Sequence, residues 1–111
     1  MARVITIGAA QLGPIQRGEG RDSAVARMIA LLREAAGKGC DLVVFPELAL
    51  TTFFPRWYME DQAEVDTWFE AAMPGPATRP LFDAAADLGV GFSIGYAELV
   101  EEDGAVHHYN T

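Results

Sequence analysis

The sequence predicts an α/β fold built on a parallel sheet, and three observations carry that prediction. A β-rich apolar segment, a helix-period segment and a short continuous apolar run follow one another near the N-terminus. That order is a βαβ unit, whose crossover is normally right-handed. The apolar run, Asp41-Leu42-Val43-Val44-Phe45, shows no polar alternation, as expected of a strand buried on both faces. A further helix pattern and a glycine-containing strand pattern then repeat the alternation.

Taken in order, Arg3 to Ala10 reads as the first strand. Gly13-Pro14 and Gly18-Glu19-Gly20 mark the loop after it. Val25, Met28, Ile29, Leu32, Ala35 and Ala36 recur at helical spacing, which predicts a helix from Asp22 to Lys38. Asp22 or Ser23 suits its N-cap, and Gly37 and Gly39 suit its end. Pro46 ends the second strand because it has no N–H to donate. Thr51 to Tyr58 is an aromatic-rich loop. Asp61 to Glu64 has the form of a capping box for a short helix carrying Val65, Trp68 and Phe69, which Met73-Pro74-Gly75-Pro76 breaks. A third helix begins near Thr78, with Pro80 in its first turn; Leu81, Phe82, Ala85 and Leu88 form its stripe, and Gly89 stops it. Val90 to Ala97 returns to strand pattern, Glu102-Asp103-Gly104 is a hairpin turn, and Ala105 to Thr111 is a last strand. A chain that stops inside a strand is expected to be a portion of a larger α/β domain; the rival is a small complete domain with a terminal strand.

Composition narrows the function. Of 111 residues, 50% are apolar and 22% charged, as in a globular protein. The formal charge of -8 argues against nucleic acid and anionic membrane surfaces as partners. No apolar run approaches the ~20 residues that span a bilayer. Residues 1–10 read as a strand rather than a signal peptide, and there is one cysteine, Cys40, so a cytoplasmic protein is expected.

Glu47 is the main candidate for chemistry. It follows the carboxyl end of a parallel strand, where ligands bind in open α/β sheets. Flanked by Phe45 and Leu48 and facing the aromatic loop, it would be partly desolvated, which suits a general base. The competing reading is a solvent-facing loop glutamate or a helix N-cap partner. Cys40 is the obvious nucleophile to test, but it begins the strand that Glu47 ends, roughly 23 Å away at strand rise. A base works within ~3 Å of its proton, so Cys40 reads as a small buried residue at a helix–strand junction. His107 and His108 are adjacent on a strand and point to opposite faces, so they make a poor metal pair. Gly91, Gly95 and Gly104 fit no phosphate-loop spacing. Trp57, Trp68 and Phe69 either line a pocket or fill core, with core favoured for the last two. Glu98, Glu101 and Glu102 read as a solvated face.

At Val43-Val44-Phe45-Pro46-Glu47-Leu48 the sequence resembles the nitrilase superfamily of carbon–nitrogen hydrolases. Ala9-Ala10-Gln11, Met73-Pro74-Gly75-Pro76 and Tyr109-Asn110-Thr111 match in order. Phe45 through Trp57, Arg79-Pro80-Leu81-Phe82 and Gly95-Tyr96-Ala97-Glu98-Leu99 look most like N-carbamoyl-D-amino acid amidohydrolases. Thr52-Phe53, where many members have Gly and then Tyr or Phe, departs from ordinary amidases and nitrilases in the same direction. The resemblance implies an αββα sandwich of which residues 1–111 form the N-terminal portion, incomplete at the C-terminal end. It implies catalysis by Glu, Lys and Cys, with Glu47 as the general base and Phe53 near the substrate pocket. The Lys and Cys have no counterpart here: Lys38, the one lysine, lies before the second strand. The implied reaction of the intact enzyme converts an N-carbamoyl-D-amino acid to the D-amino acid, carbon dioxide and ammonia, without metal or organic cofactor, in a homo-oligomer. These residues alone are expected to be inactive. The alternatives are a non-catalytic truncated product or one chain of a split enzyme.

Overall fold

The structure is a computed structural model that describes residues 2–111. Its elements are β1 (Ile7–Ala9), α1 (Arg21–Gly37), β2 (Leu42–Val44), α2 (Gln62–Asp66), α3 (Arg79–Leu88), β3 (Gly91–Ser93), β4 (Ala97–Glu102) and β5 (Ala105–Asn110), with one 3-10 turn at Phe54–Arg56. The mixed α/β character is as the sequence predicts.

Helix α1 forms because its apolar residues share one stripe. Ala24, Val25, Met28 and Leu32 are buried, and Ile29, Ala35 and Ala36 pack against the same core. Met28 and Leu32 have no exposed surface; truncating either to Ala costs about 2–5 kcal/mol. The expected cap at Asp22 or Ser23 is not the one used. Gly20 is the N-cap, without a side-chain bond; the Ser23 hydroxyl donates to Glu19 instead, and Asp22 lies in the first turn. At the other end the helix closes in a Schellman arrangement. Gly39 has φ +83°, its N–H donates to Ala36 O, and the Cys40 N–H donates to Ala35 O.

β2 is the middle strand of a parallel three-stranded sheet in the order β1-β2-β3. Gly8, Val43 and Phe92 are in register and face the layer formed by α1 and α3, which pack on each other. Val43 is fully buried there. The opposite face is open, so the expectation of a strand buried on both faces fails in this chain: Ile7 is 54% and Val44 39% exposed. The first strand is shorter than expected, because β-pairing reaches only residues 7–9, with Thr6 tied to Asp41 through both its N–H and its carbonyl.

Helix α2 begins as predicted, with Asp61 accepting from the Ala63 N–H. The capping box is incomplete, since Glu64 pairs with Arg17. The helix ends before Trp68 and Phe69, which pack with Phe54, Leu48 and Ala97 in a second, smaller core. Helix α3 runs from Arg79 to Leu88, and Gly89, with φ of +64°, ends it.

The strand expected over Val90–Ala97 is divided. β3 ends at Ser93, and the chain bends through Gly95 before β4 starts at Ala97. β4 and β5 form an antiparallel hairpin. Its two-residue turn has φ of +52° at Asp103 and +75° at Gly104, the positive pair that Asp-Gly supplies. Glu70 joins the hairpin to the body by bonding Ala97 and Leu99, and Arg21 of α1 holds the Glu70 carboxylate.

Candidate active site

Glu47 stands just beyond the carboxyl end of the central strand β2. The Phe45 N–H still donates to Ser93 O at 2.8 Å. Pro46 then ends the pairing, and the chain turns sharply, with Leu48 in the left-handed region at φ +47°. A branched residue there carries strain, and the burial that follows secures it: Leu48, Ala49, Leu50, Thr51 and Thr52 are all buried. Glu47 itself is exposed. The sequence expectation of a partly desolvated carboxylate is therefore not met in this chain. The apolar neighbours Phe45 and Leu48 turn into the core and leave the carboxylate outside it.

The backbone of Glu47 is fixed from behind by Gly95. The Ala49 N–H donates to Gly95 O at 2.9 Å, and a Cβ on Gly95 would lie 2.8 Å from Glu47 Cα. The side chain is held by Asn110, whose Nδ2 donates to Glu47 Oε1 at 2.6 Å. Asn110 pairs with Ala97 across the hairpin, and the next residue, Thr111, exchanges backbone bonds with Tyr96.

Two hollows meet at Glu47. The smaller, about 140 Å³, is lined by Leu12, Gly13, Pro14 and Ile15 together with Phe53 and Arg56. The larger, about 370 Å³, is mainly apolar, with Phe53, Phe54, Phe69, Ala97 and Tyr109 in its wall. Phe53 borders both and is 49% exposed. His108 lines the larger one and is bonded to Asp66 at 2.6 Å. The Gln62 amide and then His108 hold the Asp66 carboxyl below its usual range. At the hairpin's edge, burial and then the Glu98 carboxylate push the Tyr96 phenol up.

The remaining candidates lie elsewhere. Cys40 is a free thiol packed against Gly8 and Ala35, at the opposite end of β2 from Glu47. Lys38 pairs with Glu34 on the surface. His107 and His108 separate as their strand positions require: His108 meets Phe69 edge-on, and His107 lies beside Tyr109. Among the described residues no group of three His, Cys, Asp or Glu is placed to hold a metal ion. The guanidinium groups of Arg17 and Arg56 each lie over the Trp57 ring, at 5.0 and 4.9 Å from its centroid, and Trp68 is core, stacked on Phe54. No helix among the described residues is long and apolar enough to cross a membrane. The roles of Gly95 and Asn110 are absent from the sequence reading: a glycine pattern and a Tyr-Asn-Thr segment are visible, but not that both converge on Glu47.

Fold and site together define an α/β protein that presents one anchored carboxylate at the carboxyl end of its central parallel strand. Comparison with known proteins gives that class its family. Residues 6–111 match the family described as carbon-nitrogen hydrolase. "Nitrilase 2", from an unknown prokaryotic organism, is 34% identical over 102 residues, a match covering 86% of this chain and 32% of that relative. The chain belongs to the carbon–nitrogen hydrolase family, and it spans about a third of the length of the relative it matches.

Proposed function

We propose that this chain supplies the general base of an enzyme that hydrolyses a non-peptide carbon–nitrogen bond. The observation that supports this reading most is Glu47: an exposed carboxylate on an anchored turn, hydrogen-bonded through one oxygen and opening onto two hollows. In this proposal the lysine and cysteine lie beyond Thr111, in the remaining part of an αββα sandwich whose second sheet covers Ile7 and Val44. Glu47 takes the thiol proton as the cysteine attacks the substrate carbon, the lysine stabilises the developing oxyanion, and Glu47 then activates the water that releases the acyl group.

The proposed substrate is an N-carbamoyl-D-amino acid, which with one water gives the D-amino acid, carbon dioxide and ammonia. The resemblance of residues 45–57 to that group supports it, and the larger hollow offers space for an apolar side chain. The relative's name favours a second reading, a nitrile substrate attacked by the same groups. Ammonia release by the complete enzyme from N-carbamoyl-D-phenylalanine and from phenylacetonitrile separates the two.

Glu47→Gln tests the base itself. It keeps the shape, loses the proton acceptor and lowers kcat by about 100-fold or more. Near-normal turnover by this variant would rule the assignment out.

A further inference from the structure

We propose that Asn110 is a positioning residue for Glu47, its amide fixing one carboxylate oxygen so that the other is aimed at the travelling proton. This rests on the reading of Glu47 as the base. The amide nitrogen lies 2.6 Å from Oε1, and no other hydrogen-bond partner of the Glu47 side chain is present among the described residues. The donor is held in place before any substrate arrives. Asn110 is the last residue of β5, paired with Ala97, and Thr111 beyond it is tied to Tyr96 through both backbone groups and to Glu98 through its hydroxyl. Gly95 fixes the other partner, since its close approach leaves the Glu47 backbone no room to shift towards it.

The chemistry of the donor matters as much as its position. An N–H donor stabilises the charged carboxylate without bringing a charge of its own. The neutral amide orients the carboxylate without placing a full positive charge beside it. The other titratable or charged groups lining the two hollows are Arg56, His108 and Tyr109, and none of them bonds to the Glu47 side chain.

The test is the pH dependence of kcat/KM for the complete enzyme, with thermal melting recorded for each variant. In Asn110→Asp a second carboxylate faces Glu47, and two such groups share one proton. The acid limb of the profile should move up by about one pH unit or more. Asn110→Ala removes the donor without adding charge. It should lower kcat by about 10-fold with KM little changed, and move the acid limb in the same direction by less. Acid limbs superimposable on the parent's, with rate losses that merely follow losses of melting temperature, would show a structural role and overturn the proposal. If Asn110→Asp does not fold, the limb of Asn110→Ala decides. Glu47→Gln separates the two claims. An inactive Glu47→Gln with unmoved Asn110 limbs overturns the positioning role alone, whereas an active Glu47→Gln removes the base assignment and this proposal with it.

Discussion

Replacing Gly95 by Ala drives a methyl group into the backbone that carries Glu47. The new Cβ would lie 2.8 Å from Glu47 Cα, 3.2 Å from the Pro46 carbonyl oxygen and 3.4 Å from the Leu48 nitrogen. All three are main-chain atoms, so no change of rotamer makes room. Ordinary contact begins at 3.4 Å, so the two segments must separate by about 0.6 Å or more. The Gly95 carbonyl also accepts the Ala49 N–H, and separation stretches that bond as well. Overpacking of this kind costs about 1–3 kcal/mol in stability. A base misplaced by ~1 Å costs about 100-fold in rate, so activity should fall further than stability does. The assay pairs denaturant unfolding with kcat/KM of the complete enzyme. Gly18→Ala is the control, because nothing lies within 4 Å of a Cβ at that position. A Gly95→Ala variant with the parent's unfolding midpoint and the parent's rate would refute the close-approach argument.

Two further outcomes follow from the same geometry. Phe53 is half exposed and borders both hollows, so Phe53→Ala should leave the melting temperature nearly unchanged while raising KM for a substrate with a large apolar side chain by about 10-fold; an equal effect on N-carbamoylglycine would remove Phe53 from the side-chain pocket. Acidification should destabilise the fold through Glu19 and Asp66. Arg27 and then Ser23 hold the Glu19 carboxyl below its usual 4.5, and Gln62 and then His108 hold Asp66 below its usual 3.8. Because both folded values are depressed, their stabilisation is present above those usual values and is lost as pH falls through the lower folded ones. Urea unfolding followed through the acid range should show this decline, and the double variant Gln62→Ala with His108→Ala should flatten part of it. An unfolding midpoint constant through that range would contradict the assignment.

Local physics made several elements legible in the sequence. The stripe of Val25, Met28 and Leu32 dictates α1. Gly39 and Gly89 end their helices because they take the left-handed conformation cheaply. Asp103-Gly104 sets the hairpin through two positive φ angles. The order of strand, helix and strand puts Glu47 at the carboxyl end of the middle strand, and the residues around it were enough to indicate the family. Each of these depends on neighbours within a few positions, which a linear reading can see. The contacts that make Glu47 a site are of another kind. Asn110 reaches it from 63 positions away, and Gly95 approaches from a bend that the strand-like pattern of residues 90–97 conceals. Tertiary structure also decided that the carboxylate stays exposed while residues 48–52 are buried. Burial and close approach are properties of which segments meet in space, and no local preference of Glu, Asn or Gly encodes that meeting.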